Sequence, residues 1–248
     1  MVESYSFRGP WLVAFALVPT ALVAASAHFV GTPAVARAAI EAPAIRGPAR
    51  VVDGDTLDVA GQRVRLEGID APELGQTCPG RYLGGALGPW SCGQAAASHL
   101  RQLTGLSTVA CEVAGTDKYG RVLGRCRVEG LDINAEMVRS GLAWAFVRYS
   151  DRYVRDEAEA RARRVGMWRS EEAPQPAWDF RQAKWTGAAE VAPNGCAIKG
   201  NVSGSGRIYH PPWSPWYDRV TVDEARGERW FCDEAEAQAA GWRAAGLR

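Results

Sequence analysis

Surplus charge is what this sequence most lacks: its 248 residues carry 29 Lys and Arg against 28 Asp and Glu, a net charge of +1 at pH 7. Proteins that coat a polyanion usually carry a large positive excess. That class is set aside, so any contact with nucleic acid must be local, through a few placed cations. None of the six cysteines forms a CxxC pair, which removes zinc-ribbon and thioredoxin-type readings. No apolar run suits a comfortable membrane span either. The best, Trp11 to Ala25, is uncharged but short, and Pro19 interrupts it. No base-reading element such as a recognition helix is visible.

What is present begins with that apolar run. Arg8 precedes it and Ala25-Ser26-Ala27 follows, so residues 1–27 read as a signal peptide, with an uncleaved N-terminal anchor as the alternative. Secretion or export to a periplasm is expected. Glu3 and Arg8 leave together on cleavage, so the charge stays at +1. Residues 28–48, rich in Ala, Pro and Gly, read as a linker.

Six cysteines suit an exported chain, although about 15 connectivities are open to them. Val51-Val52 and Thr56 to Val59 read as strand around an Asp53-Gly54-Asp55 turn. Gly61-Gln62 connects them to a strand from Arg63 to Ile69. A helix is expected over 94–103, ending at Thr104-Gly105, and further strands over 107–113 and 122–128. Paired antiparallel, these last two would bring Cys111 opposite Cys126. That register favours neighbour pairing throughout: Cys78 with Cys92, Cys111 with Cys126, Cys196 with Cys232. A second helix takes Asp132 or Asn134 as N-cap and Gly141 as its stop. A third, over 151–165, should pack through Tyr153, Val154, Ala158, Ala162 and Val165. Residues 171–192 read as another linker, and 193–248 as a small disulfide-stapled unit.

The segment 53–73 concentrates chemistry. Asp53, Asp55, Asp70 and Glu73 offer oxygen donors of the kind hard cations take, and Arg65 and Arg121 offer the paired donors that clamp phosphate. Asp53, ahead of a glycine, is better read as a turn former, and Thr56 as a strand residue. Spacing alone is a weak signal, since such residues are commonly solvated.

The wording of the blocks says more. VVDGDTLDV, VRLEGIDAPE and TDKYGRVLG, followed by INAEMVRSGLA and EAEARARRVGMW, stand in one order over residues 49–170. Together they resemble the staphylococcal nuclease (thermonuclease) family. The resemblance implies an α+β fold, a five-stranded OB-type β-barrel with three helices. It implies calcium held by Asp55, Asp70 and the backbone carbonyl of Ala71, with Ala in place of a family Thr. It implies Glu73 as the group that takes a proton from, or orients, the attacking water, and Arg65 and Arg121 as the phosphate grip. Lys118 and Tyr119 fall at positions that hold a terminal phosphate. A second aromatic of that pocket falls at Phe146 or Tyr149. The expected activity is calcium-dependent hydrolysis of DNA and/or RNA with little sequence preference, by a monomer. The alternative is a non-catalytic OB-fold protein that binds single strands or envelope polymer, which would be expected to have lost one of these positions.

Residues 194–245 resemble the sunset domain, a module at the C-terminus of exported bacterial proteins. Two cysteines and His210 fall short of a four-ligand metal site. A disulfide, with His210 as an ordinary residue, is expected instead. The aromatics, with Lys199, Arg207, Arg219 and Arg226, are read as an exposed face for wall polymer, nucleic acid or a protein.

Overall fold

The computed structural model of the chain describes residues 44–80, 88–117 and 119–246. The expected signal peptide, residues 28–43 of the first linker, and Lys118 lie outside them. Residues 41–248 form one unit by internal contacts.

The first half of that unit is a set of short strands and three helices. In chain order these are β1 (Ala44–Gly47), β2 (Ala49–Val51), β3 (Thr56–Val59), β4 (Gln62–Leu66), β5 (Ile69–Asp70), α1 (Cys92–Thr104), β6 (Val109–Thr116), β7 (Val122–Val128), β8 (Leu131–Asp132), α2 (Ile133–Arg139), β9 (Trp144–Ala145) and α3 (Val154–Ala162). The main sheet runs β1-β6-β7-β4-β3-β2, with β8 beside β7 and a separate β5–β9 ladder. Only β4 and β7 pair in parallel within it. Among the described residues this path is open, and no ladder joins its ends. The expected five strands are cut into shorter ones by the bend at residues 53–55 and by Gly68, whose φ is 76°.

The hairpin expected around Gly61 is present: Val59 pairs with Gln62. Ala60 and Gly61 turn the chain with φ of 51° and 85°, the positive pair that a tight two-residue hairpin needs. Alternation then sends Leu57, Val59, Val64 and Leu66 inward, each at most 1% exposed. Truncating one of these to Ala would cost ~2–5 kcal/mol. Cys111 and Cys126 are register partners across β6 and β7 and are bonded. Cys78–Cys92 and Cys196–Cys232 complete the neighbour pairing.

Asp132 is the N-cap of α2, accepting from the Ala135 N–H. Asn134 has a different task. Fully buried, it accepts from the Cys126 N–H and donates to the Glu67 and Gly124 carbonyls. It therefore stitches the helix start to β7 and to the exit of β4. Helix α3 departs from expectation. Tyr153 is buried as expected, but the helix's inward residue is Ala160, while Val154, Ala158 and Ala162 are exposed. Its exposed face carries the Glu159–Arg163 pair, while Glu157 turns in to accept from the Ala145 N–H.

The second half opens with α4 (Ala177–Ala189), inside the stretch read as linker. It continues with β10 (Ile198–Ser203), β11 (Gly206–His210), β12 (Arg229–Phe231), α5 (Glu234–Ala239) and β13 (Arg243–Ala244). The strands form one sheet in the order β12-β10-β11-β13. The expected exposed aromatic face is only partly there. Tyr209, Phe231 and Trp242 form this sheet's core with Ile198 and Ala237, and Tyr217 is buried as well. A segment with so few residues reaches for its largest side chains to exclude water. Lys199 is spent on the same packing: its Nζ donates to the Tyr217 carbonyl and lies 4.2 Å from that ring's centroid. His210 is an ordinary inward residue, bonded to Asn201 and Ser214. Among the described residues no helix is long and apolar enough to cross a membrane.

Candidate active site

The site is built on the β3–β4 hairpin and the turn that leaves β5. Asp53 makes the bend before β3, its carboxylate accepting from the Asp55 N–H at 3.1 Å, as a turn former does. Gly54 lets that bend close. A Cβ there would lie 2.7 Å from the Ala71 Cβ and 2.9 Å from the Ala96 Cβ. The turn thus delivers Asp55, 4% exposed, against the backbone of Ala71, whose N–H donates to Asp55 Oδ2 at 3.1 Å.

Arg65 pairs across the ladder with Thr56, so its side chain lies over the same end of β3. Its Nη1 donates to Asp55 Oδ1 at 2.7 Å and its Nη2 to Asp70 Oδ1 at 2.6 Å. Asp70 is fully buried at the end of β5. Burial works against the Asp55 charge, but Arg65 and the Ala71 N–H outweigh it and hold the carboxyl below its usual range. Burial also opposes the Arg65 charge, and Asp55 and Asp70 overcome it, so this guanidinium is held firmly protonated.

Glu73 follows in the turn after β5, its backbone pinned by Gln76. The Glu73 N–H donates to Gln76 Oε1, and the Gln76 N–H returns to the Glu73 carbonyl at 2.7 Å. Burial pushes the Glu73 carboxyl up to about 8, Arg181 opposes that, and Asp53 and Asp55 push it the same way. Arg121 is the residue immediately before β7, at the end of the turn from Asp117. Asp117 accepts from its backbone N–H, from its Nε at 2.7 Å and from the Tyr119 N–H. The Arg121 guanidinium lies 5.4 Å from the Tyr119 ring centroid and feels the charge of Arg65.

The hairpin and turns therefore gather Asp55, Arg65, Asp70, Ala71 and Glu73, with Arg121 and Tyr119 beside them. Of the two aromatics weighed for the pocket, Phe146 is stacked on Trp178 and Tyr149 is largely exposed. Sequence reasoning missed Arg181. From α4 it donates to Asp70 Oδ1 and Oδ2 at 3.1 and 2.9 Å and to Glu73 Oε1 at 2.6 Å. Ala177, Arg181, Trp185 and Ala188 recur at helical spacing and face inward, but Arg181 itself interrupts the stripe, so the apolar pattern does not single the helix out.

A hard cation suits this donor set. Asp55 and Asp70 are buried carboxylates bonded to one guanidinium, both of them oxygen donors, with the Ala71 N–H against Asp55. Two arginines now supply the positive charge that buried carboxylates require. Among the described residues no three His, Cys, Asp or Glu side chains are grouped to hold an ion.

A short-stranded sheet with α1–α3 around it thus carries two carboxylates, a third acid and two arginines at one end of a hairpin. Residues 63–170 match the family model described as staphylococcal nuclease homologue. An uncharacterized endonuclease of Escherichia coli is 34% identical over 142 residues, covering 54% of this chain and 83% of that protein. The micrococcal nuclease of Shigella flexneri is 35% identical over 151 residues, covering 54% and 78%. The succinoglycan biosynthesis protein ExoI of Rhizobium meliloti is 38% identical over 132 residues, covering 51% of this chain and 66% of that protein. The chain belongs to the staphylococcal nuclease family. Asp55 lies upstream of the matched segment, and its bonds to Arg65 and Ala71 are what put it in the same site. The C-terminal half matches a different family model, ArfC, over residues 181–244; the sunset resemblance finds no support there.

Proposed function

We propose that this chain is an exported, calcium-dependent nuclease that hydrolyses phosphodiester bonds of DNA and/or RNA with little sequence preference, acting as a monomer on an OB-type barrel. The observation that carries the reading is the convergence of Asp55 and Asp70 on Arg65, with Glu73 joined to Asp70 through Arg181 and Arg121 adjacent. Asp55, Asp70 and the Ala71 carbonyl would hold calcium, which when bound would neutralise phosphate charge and place water. Glu73, once ionised, would take a proton from an attacking water or orient it. Arg65 and Arg121 grip the non-bridging oxygens, where their donors count most as charge builds in the transition state. Tyr119 lies beside Arg121 and suits the phosphate's outer edge; Lys118 is assigned there by resemblance alone. Contacts made to phosphate carry no base information, which supports low specificity. Three disulfides support an oxidising compartment, with residues 1–27 as the export signal.

A nuclease assay on residues 28–248 with single-stranded DNA tests this. Activity should rise with calcium and stop on chelation. Glu73→Ser and Arg121→Gly should each lower kcat by ~10²–10³-fold with the fold retained. Full activity in either variant would remove its assigned role.

A further inference from the structure

Arg181 caps the same oxygens that the proposed cation needs. It spans both oxygens of Asp70 and reaches Glu73 Oε1, while Arg65 takes Asp70 Oδ1 from the other side. A hard cation must approach a carboxylate oxygen to roughly 2.3–2.6 Å. Arg65 and Arg181 together take Asp70 Oδ1, and Arg181 takes one of the two lone-pair directions of Oδ2, so little of Asp70 is left for a cation and the guanidinium charge repels one. Resting on the reading above, we infer that Arg181 is an intramolecular competitor of the divalent cation. Helix α4 is then a latch that must leave Asp70 before the site can load.

The helix is held for this task at both ends. Ahead of it, the Gln175 carbonyl accepts from Gln76 Nε2 at 2.7 Å, tying the approach to the Glu73 turn. Trp178 stacks on Phe146, ring centroids 5.6 Å apart, and meets Trp144 edge-on. At the far end Ala188 packs with Ala197 and Tyr217, and Trp185 packs beside them. Arg181 stands midway on this inward face, between Ala177 and Trp185, as its one charged residue. The C-terminal half also closes over the rim. A Cβ on Gly75 would come within 3.0 Å of the Trp213 carbonyl, and Glu234, bonded to the Tyr209 hydroxyl, projects its charge onto Arg121. Linkage makes the competition reciprocal: whatever factor Arg181 takes from cation affinity, the cation takes from the docking of α4.

Calorimetric titration of the intact chain with calcium alone decides the matter, with folding checked by circular dichroism. Arg181→Gln should tighten calcium binding by ~10-fold or more, the size of a common coupling between sites. Removing a nearby positive charge would also help, so a second variant is needed. Trp178→Ala frees the helix from Phe146 while leaving every carboxylate partner in place, and should tighten binding in the same direction by less. In the wild-type chain, calcium saturation should speed amide exchange over residues 177–189. Tightening in Arg181→Gln with wild-type affinity in Trp178→Ala overturns the latch, leaving Arg181 a neighbouring charge. Equal affinity in all three proteins also overturns it and leaves the calcium reading intact. If none of the three binds calcium, the proposed cation site falls, and the latch with it.

Discussion

Arg65 and Asp55 face each other at the open end of the β3–β4 hairpin, Nη1 to Oδ1 at 2.7 Å, and the same guanidinium reaches Asp70. One cation thus keeps two almost inaccessible carboxylates side by side. Arg65→Gln would leave Asp55 without its guanidinium in a poorly hydrated place, while Asp70 keeps Arg181. Breaking such a buried pair costs ~3–5 kcal/mol, so the cation-free variant should melt well below the wild type. Calcium should return more of that loss to the variant than it adds to the wild type. Melting temperatures with and without calcium check this, and an unchanged melting point in the cation-free variant would refute the structural role. Loss of the phosphate grip should separately lower kcat by ~10²-fold or more.

Gly93, in the first turn of α1, lies so close to Glu73 that a Cβ on it would overlap the Glu73 carbonyl. Gly93→Ala must therefore push the turn that carries Glu73, although it touches no reacting group. A displacement of about 1 Å can cost ~10²-fold in rate, and overpacking costs ~1–3 kcal/mol. The expected result is a fall in kcat larger than any change in calcium affinity, since Asp55 sits on another strand and Asp70 is held at the end of β5 by two arginines. Steady-state kinetics beside a calcium titration separate the two. Wild-type kcat in a folded Gly93→Ala protein would show that Glu73 needs no such placement.

How much of this could be read in the sequence differs by element, for physical reasons. The β3–β4 hairpin was legible because strict alternation and Gly61 report locally on fold and turn. The Cys111–Cys126 pair was legible because antiparallel register alone brings them opposite. Asp55, Arg65, Asp70 and Glu73 came from the motif blocks, whose spacing matches one hairpin and its exit. Helix α4 was not legible as structure. Trp178 stacks on Phe146 of the first half, while Trp185 and Ala188 pack against the second, so no single apolar stripe marks it. Arg181 was hidden with it, because its partners lie more than a hundred residues upstream. The inward face of α3 was misread because Ala158, Ala160 and Ala162 are alike in a helix rich in charge, and only packing selects Ala160.

The Cys111–Cys126 bond closes a loop of 15 residues between two central strands. Constraint of the unfolded chain by a loop of that size contributes about 3 kcal/mol. A double Cys111→Ala, Cys126→Ala variant should lose that much, less any gain from relaxed packing, with the urea midpoint as readout. Mass spectrometry of the unreduced wild-type chain should find no free thiol. Zinc held at stoichiometric level would contradict the disulfide assignment for Cys196 and Cys232.

His210 makes the C-terminal half acid-sensitive. Burial, with Lys199 adding to it, lowers its pKa from 6.5 to about 4. The ring lies inside, bonded to Asn201 and Ser214, with Trp216 edge-on to it at 6.4 Å. Between those two values the unfolded chain takes up a proton that the folded chain refuses, so stability falls as pH drops from 6.5 toward 4 and levels off below that. His210→Gln, which can keep a polar contact without titrating, should flatten this part of the profile. Urea unfolding followed by tryptophan fluorescence at a series of pH values reads it directly. A wild-type profile with the same slope as the variant's would mean that the folded half takes up the proton as readily as the unfolded one.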